Sequence, residues 1–222
     1  MTGSATRKPP RLKLLPRKQY LFEDGKDPLP YYYWPVLGKL YRRRVELCLQ
    51  ECVGGQRVLE VGYGSGVTFL NLGEKYKEIH GIDLSANTSE VSRRFAAQGL
   101  DVRLCNGDVT KMPYPDGYFD TVLLISILEH LKPAQLQAAC REIARVLKPG
   151  GQIVYGVPVE RAFMVFMFRV LGYNIREHHF STEKDVNNAF AQSFKQIRLV
   201  PMKSLIPALG ALYEVGHFLK AA

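Results

Sequence analysis

The 222-residue chain lacks any apolar run long enough to cross a bilayer. Its longest run in the C-terminal third, Ala162 to Phe168, stops at Arg169, far short of the ~20 residues a spanning helix needs. The first 20 residues lack the continuous apolar stretch of a secretory signal. Cysteine is sparse: Cys48, Cys52, Cys105 and Cys140 form no C-x-x-C pair. That pattern argues against a zinc site or a disulfide framework and for reduced thiols in a cytoplasmic protein. No internal repeat is present, which excludes solenoids and propellers. With 46% apolar and 23% charged residues, the composition also excludes a disordered chain and suits one globular domain.

Acidic residues are missing from the first 20 positions, which carry Arg7, Lys8, Arg11, Lys13, Arg17 and Lys18. The remainder holds 24 basic against 21 acidic side chains, so most of the net charge of +9 sits in this tail. Residues 1–30, rich in Pro, Lys and Arg, are therefore expected to be a basic, flexible tail ahead of a domain over 31–222. Apart from the tail, only Arg42-Arg43-Arg44 forms a basic cluster and no Asn-Pro-Pro-Tyr-type motif occurs, which argues against a nucleic-acid partner.

What is present is an alternation of strands and helices. Residues 57–61, 79–84, 102–106, 120–125 and 152–156 read as short β-branched and aliphatic strands. Helical stretches are predicted near 35–52, 66–76, 86–97 and 133–147, with a further helix from an N-cap at Ser181 to about Ala191. The βαβα rhythm predicts a parallel sheet covered by helices on both faces. Strands near 193–200 and 212–219, joined by a loop too short for a crossover helix, should pair antiparallel.

Three motifs carry chemistry. In Glu60-Val61-Gly62-Tyr63-Gly64-Ser65-Gly66 a strand runs into alternate glycines, which allow a tight turn and close approach of backbone to a ligand. Asp83, followed by Leu84, ends the next strand, where a carboxylate can accept hydrogen bonds from a ribose diol or cap a helix. Asn106-Gly107-Asp108-Val109 follows the third strand, where Asp108 could accept from an adenine amino group. Position 67 is Val, so the G-x-G-x-x-G of a dinucleotide site is not completed.

Together with Ser126-Ile-Leu-Glu129-His130-Leu and Leu147-Lys-Pro-Gly-Gly-Gln-Ile-Val, this ordered set resembles the class I S-adenosylmethionine (SAM)-dependent methyltransferases, particularly the group acting on small molecules and lipids. The resemblance is strong over about residues 36–157. It implies an α/β fold: a Rossmann-like, seven-stranded, mostly parallel sheet with helices on both faces and a C-terminal antiparallel strand pair. It implies SAM as cofactor and S-adenosylhomocysteine as product. Glu60, Gly62, Tyr63, Gly64 and Gly66 would surround the methionine portion and Asp83 with Leu84 the ribose. Asn106, Gly107, Asp108 and Val109 would hold the adenine, and Ile125, Ser126, Glu129 and His130 would line the cofactor near its methyl. Some quinone-pathway members bind a metal through an added acid where this chain has Ser126. One carboxylate and one His remain, and no metal is expected.

The expected reaction is in-line methyl transfer to a small-molecule or lipid-like acceptor. A non-catalytic SAM-binding module on the same fold is the alternative. An acceptor that must lose a proton requires a base, for which His130, His178 and His179 are candidates. Residues 157–180 and 201–211 are expected as substrate-side insertions. The apolar stretch Arg161 to Tyr173 reads equally as an acceptor wall, a peripheral membrane contact, or a helix buried on the sheet or in a dimer.

Overall fold

The computed structural model describes residues 9–20, 28–35, 37–159, 179–204 and 210–221. Seven strands form a single sheet: β1 (Gly55–Val61), β2 (Tyr76–Asp83), β3 (Val102–Asn106), β4 (Phe119–Ile125), β5 (Leu147–Pro158), β6 (Lys195–Lys203) and β7 (Ala211–Leu219). Their order is β3-β2-β1-β4-β5-β7-β6. The first five are parallel, and β7 runs antiparallel to both β5 and β6. This is the expected sheet, including its antiparallel pair.

Among the described residues, five α-helices pack on it: α1 (Leu37–Glu51), α2 (Phe69–Leu72), α3 (Thr88–Ala96), α4 (Pro133–Val146) and α5 (Glu183–Ala191). Successive residues of a strand face opposite sides, so Val58 and Leu59 enter different cores. One core joins Val58, Leu123 and Val154 to Val45, Cys48 and Leu49 of α1, Phe69 of α2 and Phe95 of α3. The other joins Leu59, Val122 and Ile153 to Leu136 and Ile143 of α4 and Val186 and Phe190 of α5. Among the described residues, no helix is long and apolar enough to cross a membrane. All four cysteines are free.

Two helix expectations are corrected. The helix after the glycine turn covers only 69–72, not 66–76. Gly73 turns the chain where a Cβ would lie 2.7 Å from Leu100, and Lys75 Nζ donates to the carbonyls of Leu49 and Cys52 at 2.6 Å each. The chain is thereby returned to β2 within three residues. The cap of α5 is Thr182, which forms a reciprocal capping box with Asp185, while Ser181 Oγ donates to the carbonyl of Leu131 at 2.7 Å.

Residues 9–20 lie inside the segment expected to be a flexible tail, yet they pack on the domain. Leu12, Leu15 and Tyr20 are buried. Buried Asn71 of α2 clamps the strand-like backbone, accepting from Lys13 N at 2.9 Å and donating to the carbonyl of Arg11 at 3.1 Å. Glu46 of α1 accepts from Leu12 N at 2.9 Å, Lys13 pairs with Glu74, and the Tyr33 hydroxyl donates to the carbonyl of Leu15. The segment straps α1 to α2.

Asn71→Ala leaves one backbone N–H and one carbonyl of the strap without their partners, a cost of about 1–3 kcal/mol. The expected result is a lower denaturant midpoint with an unchanged slope, together with faster tryptic cleavage after Arg11 and Lys13. An unmoved midpoint would show that the strap is not held there.

Candidate functional site

Strand order reverses between β1 and β4, the point at which open α/β sheets form a crevice beyond their carboxyl ends. A cavity of about 700 Å³ opens there, within the ~300–1,000 Å³ usual for small-molecule sites. It is lined by the ends of β1, β2 and β4, the turns that follow them, and residues of α1, α3 and the segment before α1.

The glycine turn forms its floor. Gly62, Gly64 and Gly66 have φ of 69°, 49° and 71°, in the left-handed region that side chains disfavour. Gly62 is further constrained because a Cβ would come 2.0 Å from Ile127 Cδ1. Gly66 serves the turn itself: its N–H donates to the carbonyl of Tyr63, and a Cβ would meet the Phe69 ring at 2.6 Å. Gly62, Tyr63 and Gly64 line the cavity.

Glu60 is buried at the end of β1, where its carboxylate accepts from Thr68 Oγ1. Burial pushes its pKa up to about 8; the Thr68 hydrogen bond opposes this and the nearby Asp83 adds to it. The cavity therefore contains a carboxyl that is largely protonated near neutral pH.

Asp83, at the end of β2, accepts from Gly64 N at 3.0 Å through Oδ2 and from Ser85 N and Ala86 N at 2.9 and 3.0 Å through Oδ1. It thus ties the glycine turn to the loop after β2. Cap duty for α3 falls to Asn87, which accepts from Glu90 N. Asn106 acts from behind, donating to the carbonyls of Asp83 and Ala86. Gly107, Asp108 and Val109 reach the cavity, with Asp108 fixed by Thr110 N and Oγ1 at 2.8 Å each. Leu84 lines the rim and is 74% exposed, an apolar surface at the mouth.

Ile125, Ser126 and His130 also line the cavity, whereas Glu129 is buried beside it. His178 lies outside the described residues, as do most of the expected insertions at 157–180 and 201–211. His179 packs its ring 5.2 Å from His130. It is brought there because Phe180 N and Ser181 N both donate to the carbonyl of Glu129, at 2.8 and 3.2 Å. Glu129, His130 and His179 offer side-chain donor atoms that all lie within 4.8 Å of one another, a group able to hold a metal ion. The expectation of no metal counted one carboxylate and one imidazole; folding adds a second imidazole from 49 residues further along the chain.

Arg44 also lines the cavity, outside the three motifs. On α1, half-buried, it places its guanidinium 4.2 Å from the Tyr41 ring centroid, with Tyr213 and Tyr32 at 5.8 and 6.0 Å. Its signal in the sequence was only the triplet Arg42-Arg43-Arg44, which does not reveal that the third member turns inward.

Residues 58–151 match the family model of the methyltransferase domain. The chain is 34% identical over 142 residues to a demethylmenaquinone methyltransferase of Thermus thermophilus, covering 60% of this chain and 63% of that protein. It is 31% identical over 129 residues to a ubiquinone biosynthesis O-methyltransferase of Alkalilimnicola ehrlichii, covering 55% of this chain and 50% of that protein. The chain spans about half the length of the curated relatives it matches. Among solved structures, a geranyl diphosphate methyltransferase in complex with SAM superposes with a TM-score of 0.68 at 16% identity, over 83% of this chain and 87% of that one. At that identity the likeness is one of fold. The domain match on residues 58–151 and the superposition make this chain similar, in that domain and in fold, to SAM-dependent methyltransferases.

Proposed function

We propose that the protein transfers the methyl group of SAM to a small-molecule acceptor carrying a ring hydroxyl or a comparably acidic carbon, of the kind processed by its quinone-pathway relatives. The observation that carries this reading is the convergence of Glu60, Asp83 and Asp108 from three consecutive strand ends onto one cavity floored by left-handed glycines. Asp83 takes the ribose hydroxyls, while Asp108 and Val109 take the adenine beneath Leu84. Glu60 faces the cationic methionine end, and Arg44 takes its carboxylate.

A sulfonium is already an excellent leaving group, so the chain has to align the acceptor in line with the methyl and keep water out. Ile125, Ile127 and Leu131 supply apolar wall on that side. His130 reaches the cavity with Glu129 and His179 beside it, placing an imidazole to accept the acceptor's proton. His130→Ala is expected to lower kcat by about 100-fold, within the range for general bases, while leaving SAM affinity in place. Equal loss of both would assign His130 to cofactor binding instead.

Cofactor binding should release a proton. A positive ligand charge beside Glu60 favours its carboxylate, so a group with a pKa of about 8 in the free protein is driven to ionise on binding. SAM affinity is thus expected to rise with pH until the medium passes pKa 8 of the free form, and calorimetry in buffers of different ionisation enthalpy should register the proton. Glu60→Gln should abolish that proton signal. In the unliganded protein the sign is opposite: the raised pKa means stability is full below the unfolded value and is lost as pH rises through the folded one.

Gly64→Arg is expected to abolish binding of SAM and S-adenosylhomocysteine in a folded protein, by filling the cofactor's space and straining a φ of 49°. Asp83→Ala should weaken both by about 1–3 kcal/mol, the range for hydrogen bonds to a charged acceptor. The reading as an enzyme is tested by S-adenosylhomocysteine release with phenolic and quinol acceptors; a protein that binds SAM but never releases product is a binding module.

A further inference from the structure

Among the described residues, Ser126 is the only non-glycine with positive φ, at 57°. Such a conformation costs free energy and persists where surrounding structure insists on it. It stands at the end of β4, on the cavity wall. Its N–H is bound to the carbonyl of Gly156 at 2.8 Å, and its Oγ lies 2.9 Å from the Tyr213 hydroxyl and 3.5 Å from Arg44 Nη1. Tyr213, on β7, is buried, and Gly156 makes room for it, since a Cβ there would come 2.5 Å from the Tyr213 ring. β7 lies outside the residues matched by the methyltransferase-domain model.

The guanidinium at the end of this chain of contacts has an unusual setting. Among the described residues it faces the Ser126 hydroxyl and the rings of Tyr32, Tyr41 and Tyr213, with the Tyr32 side chain hydrogen-bonded to it, carries no ion-paired carboxylate, and leaves its Nε without a hydrogen bond. A permanently charged group drawn into a cavity calls for an anion, and a planar fork suits a carboxylate. The rings of Tyr41 and Tyr213 set its plane by cation–π attraction, and Ser126 Oγ sets its reach.

We infer that Ser126 and Tyr213 are positioning residues, which together hold the Arg44 guanidinium in the orientation that receives the cofactor's amino-acid carboxylate. The inference rests on the cofactor reading proposed above and adds to it the role of a strand outside the matched domain. In its left-handed turn Ser126 carries Oγ between the phenol and the guanidinium. Neither residue touches the reacting atoms; both act through Arg44.

Calorimetry with two ligands tests this. S-adenosylhomocysteine carries the carboxylate, whereas 5′-methylthioadenosine keeps the adenosine and the sulfur but lacks the amino-acid end. The wild-type protein should prefer the former. Tyr213→Phe, which retains the ring and its slot, and Ser126→Gly, which relieves the positive φ while removing Oγ, should each weaken S-adenosylhomocysteine about three- to tenfold, the size of one net hydrogen bond. Affinity for 5′-methylthioadenosine should stay within about twofold, given that its contacts are untouched. Ser126→Gly should also unfold no earlier than wild type, separating the role from stability. Equal weakening of both ligands would make the pair merely structural, and unchanged S-adenosylhomocysteine affinity would show that Arg44 needs neither residue; either result overturns the inference. A wild-type protein that binds neither ligand overturns the cofactor reading itself. One that binds both equally leaves that reading standing and removes Arg44 from the carboxylate.

Discussion

The contact between Gly62 and Ile127 governs the rest of the site. β1 and β4 are neighbours in the sheet, yet the chains leaving them must diverge to open a crevice. The turn after β4 can fold down over the turn after β1 only because position 62 has no side chain: a Cβ there would lie 2.0 Å from Ile127. That descent puts Ser126 into its left-handed conformation and brings His130 to the cavity. The Glu129 carbonyl is then left facing outward, where it receives Phe180 N and Ser181 N and so fixes His179 beside His130. One missing methyl thus determines the positions of both the strained serine and the imidazole pair.

The sequence exposed the sheet well because its central strands carry β-branched and aliphatic runs, two of them closing on glycine or acid at Val61-Gly62 and Asp83, and both signals are local. β3 was read at Val102–Asn106, as found, and α4 differs by one residue at its end. The cavity acids were legible for the same reason, Glu60 and Asp83 lying at the ends of β1 and β2 and Asp108 just past β3. Local signals fail where residues meet across long separations. Arg44 and Ser126 are 82 positions apart and Asn71 and Arg11 are 60 apart. Nothing in the triplet of arginines distinguishes the inward one, and nothing in a segment of prolines and basic residues shows that Leu12, Leu15 and Tyr20 will be buried. Their i, i+3, i+8 spacing is interrupted by Pro16, and the strap is held by the side chain of Asn71 and not by a helix or a ladder. The short α2 is a related case: its end is enforced by Leu100 and by Lys75 reaching α1, both tertiary effects.

Electrostatics in the cavity divide by side. Glu60, on the sheet side, is held largely protonated by burial at neutral pH, so the free protein avoids two ionised carboxylates in close company there. Arg44, on the α1 side, cannot give up its charge. A ligand that is anionic toward Arg44 compensates its charge, and a cationic end beside Glu60 favours ionisation of that carboxyl; an uncharged ligand does neither. This complementarity is independent of the glycine turn and suits a zwitterionic amino-acid end.

The strap extends that logic outward. It binds α1 through Glu46 and α2 through Asn71, and it ends with Tyr20 lying 5.8 Å beneath the guanidinium of Arg94 on α3. Arg94 pairs with Glu90, and both line the cavity. Further along, Pro28 and Tyr32 reach the same cavity just before α1 begins. The N-terminal segment therefore touches α1 and α3, which line the cavity, and α2 beside them, while β1, β2 and β4 meet the cavity only at their tips. The proposed transfer depends on alignment and on exclusion of water more than on acid or base strength, and so on how firmly these helices are held together. In this chain that firmness comes from twelve residues of unremarkable sequence, bound side chain to backbone, ahead of the catalytic fold.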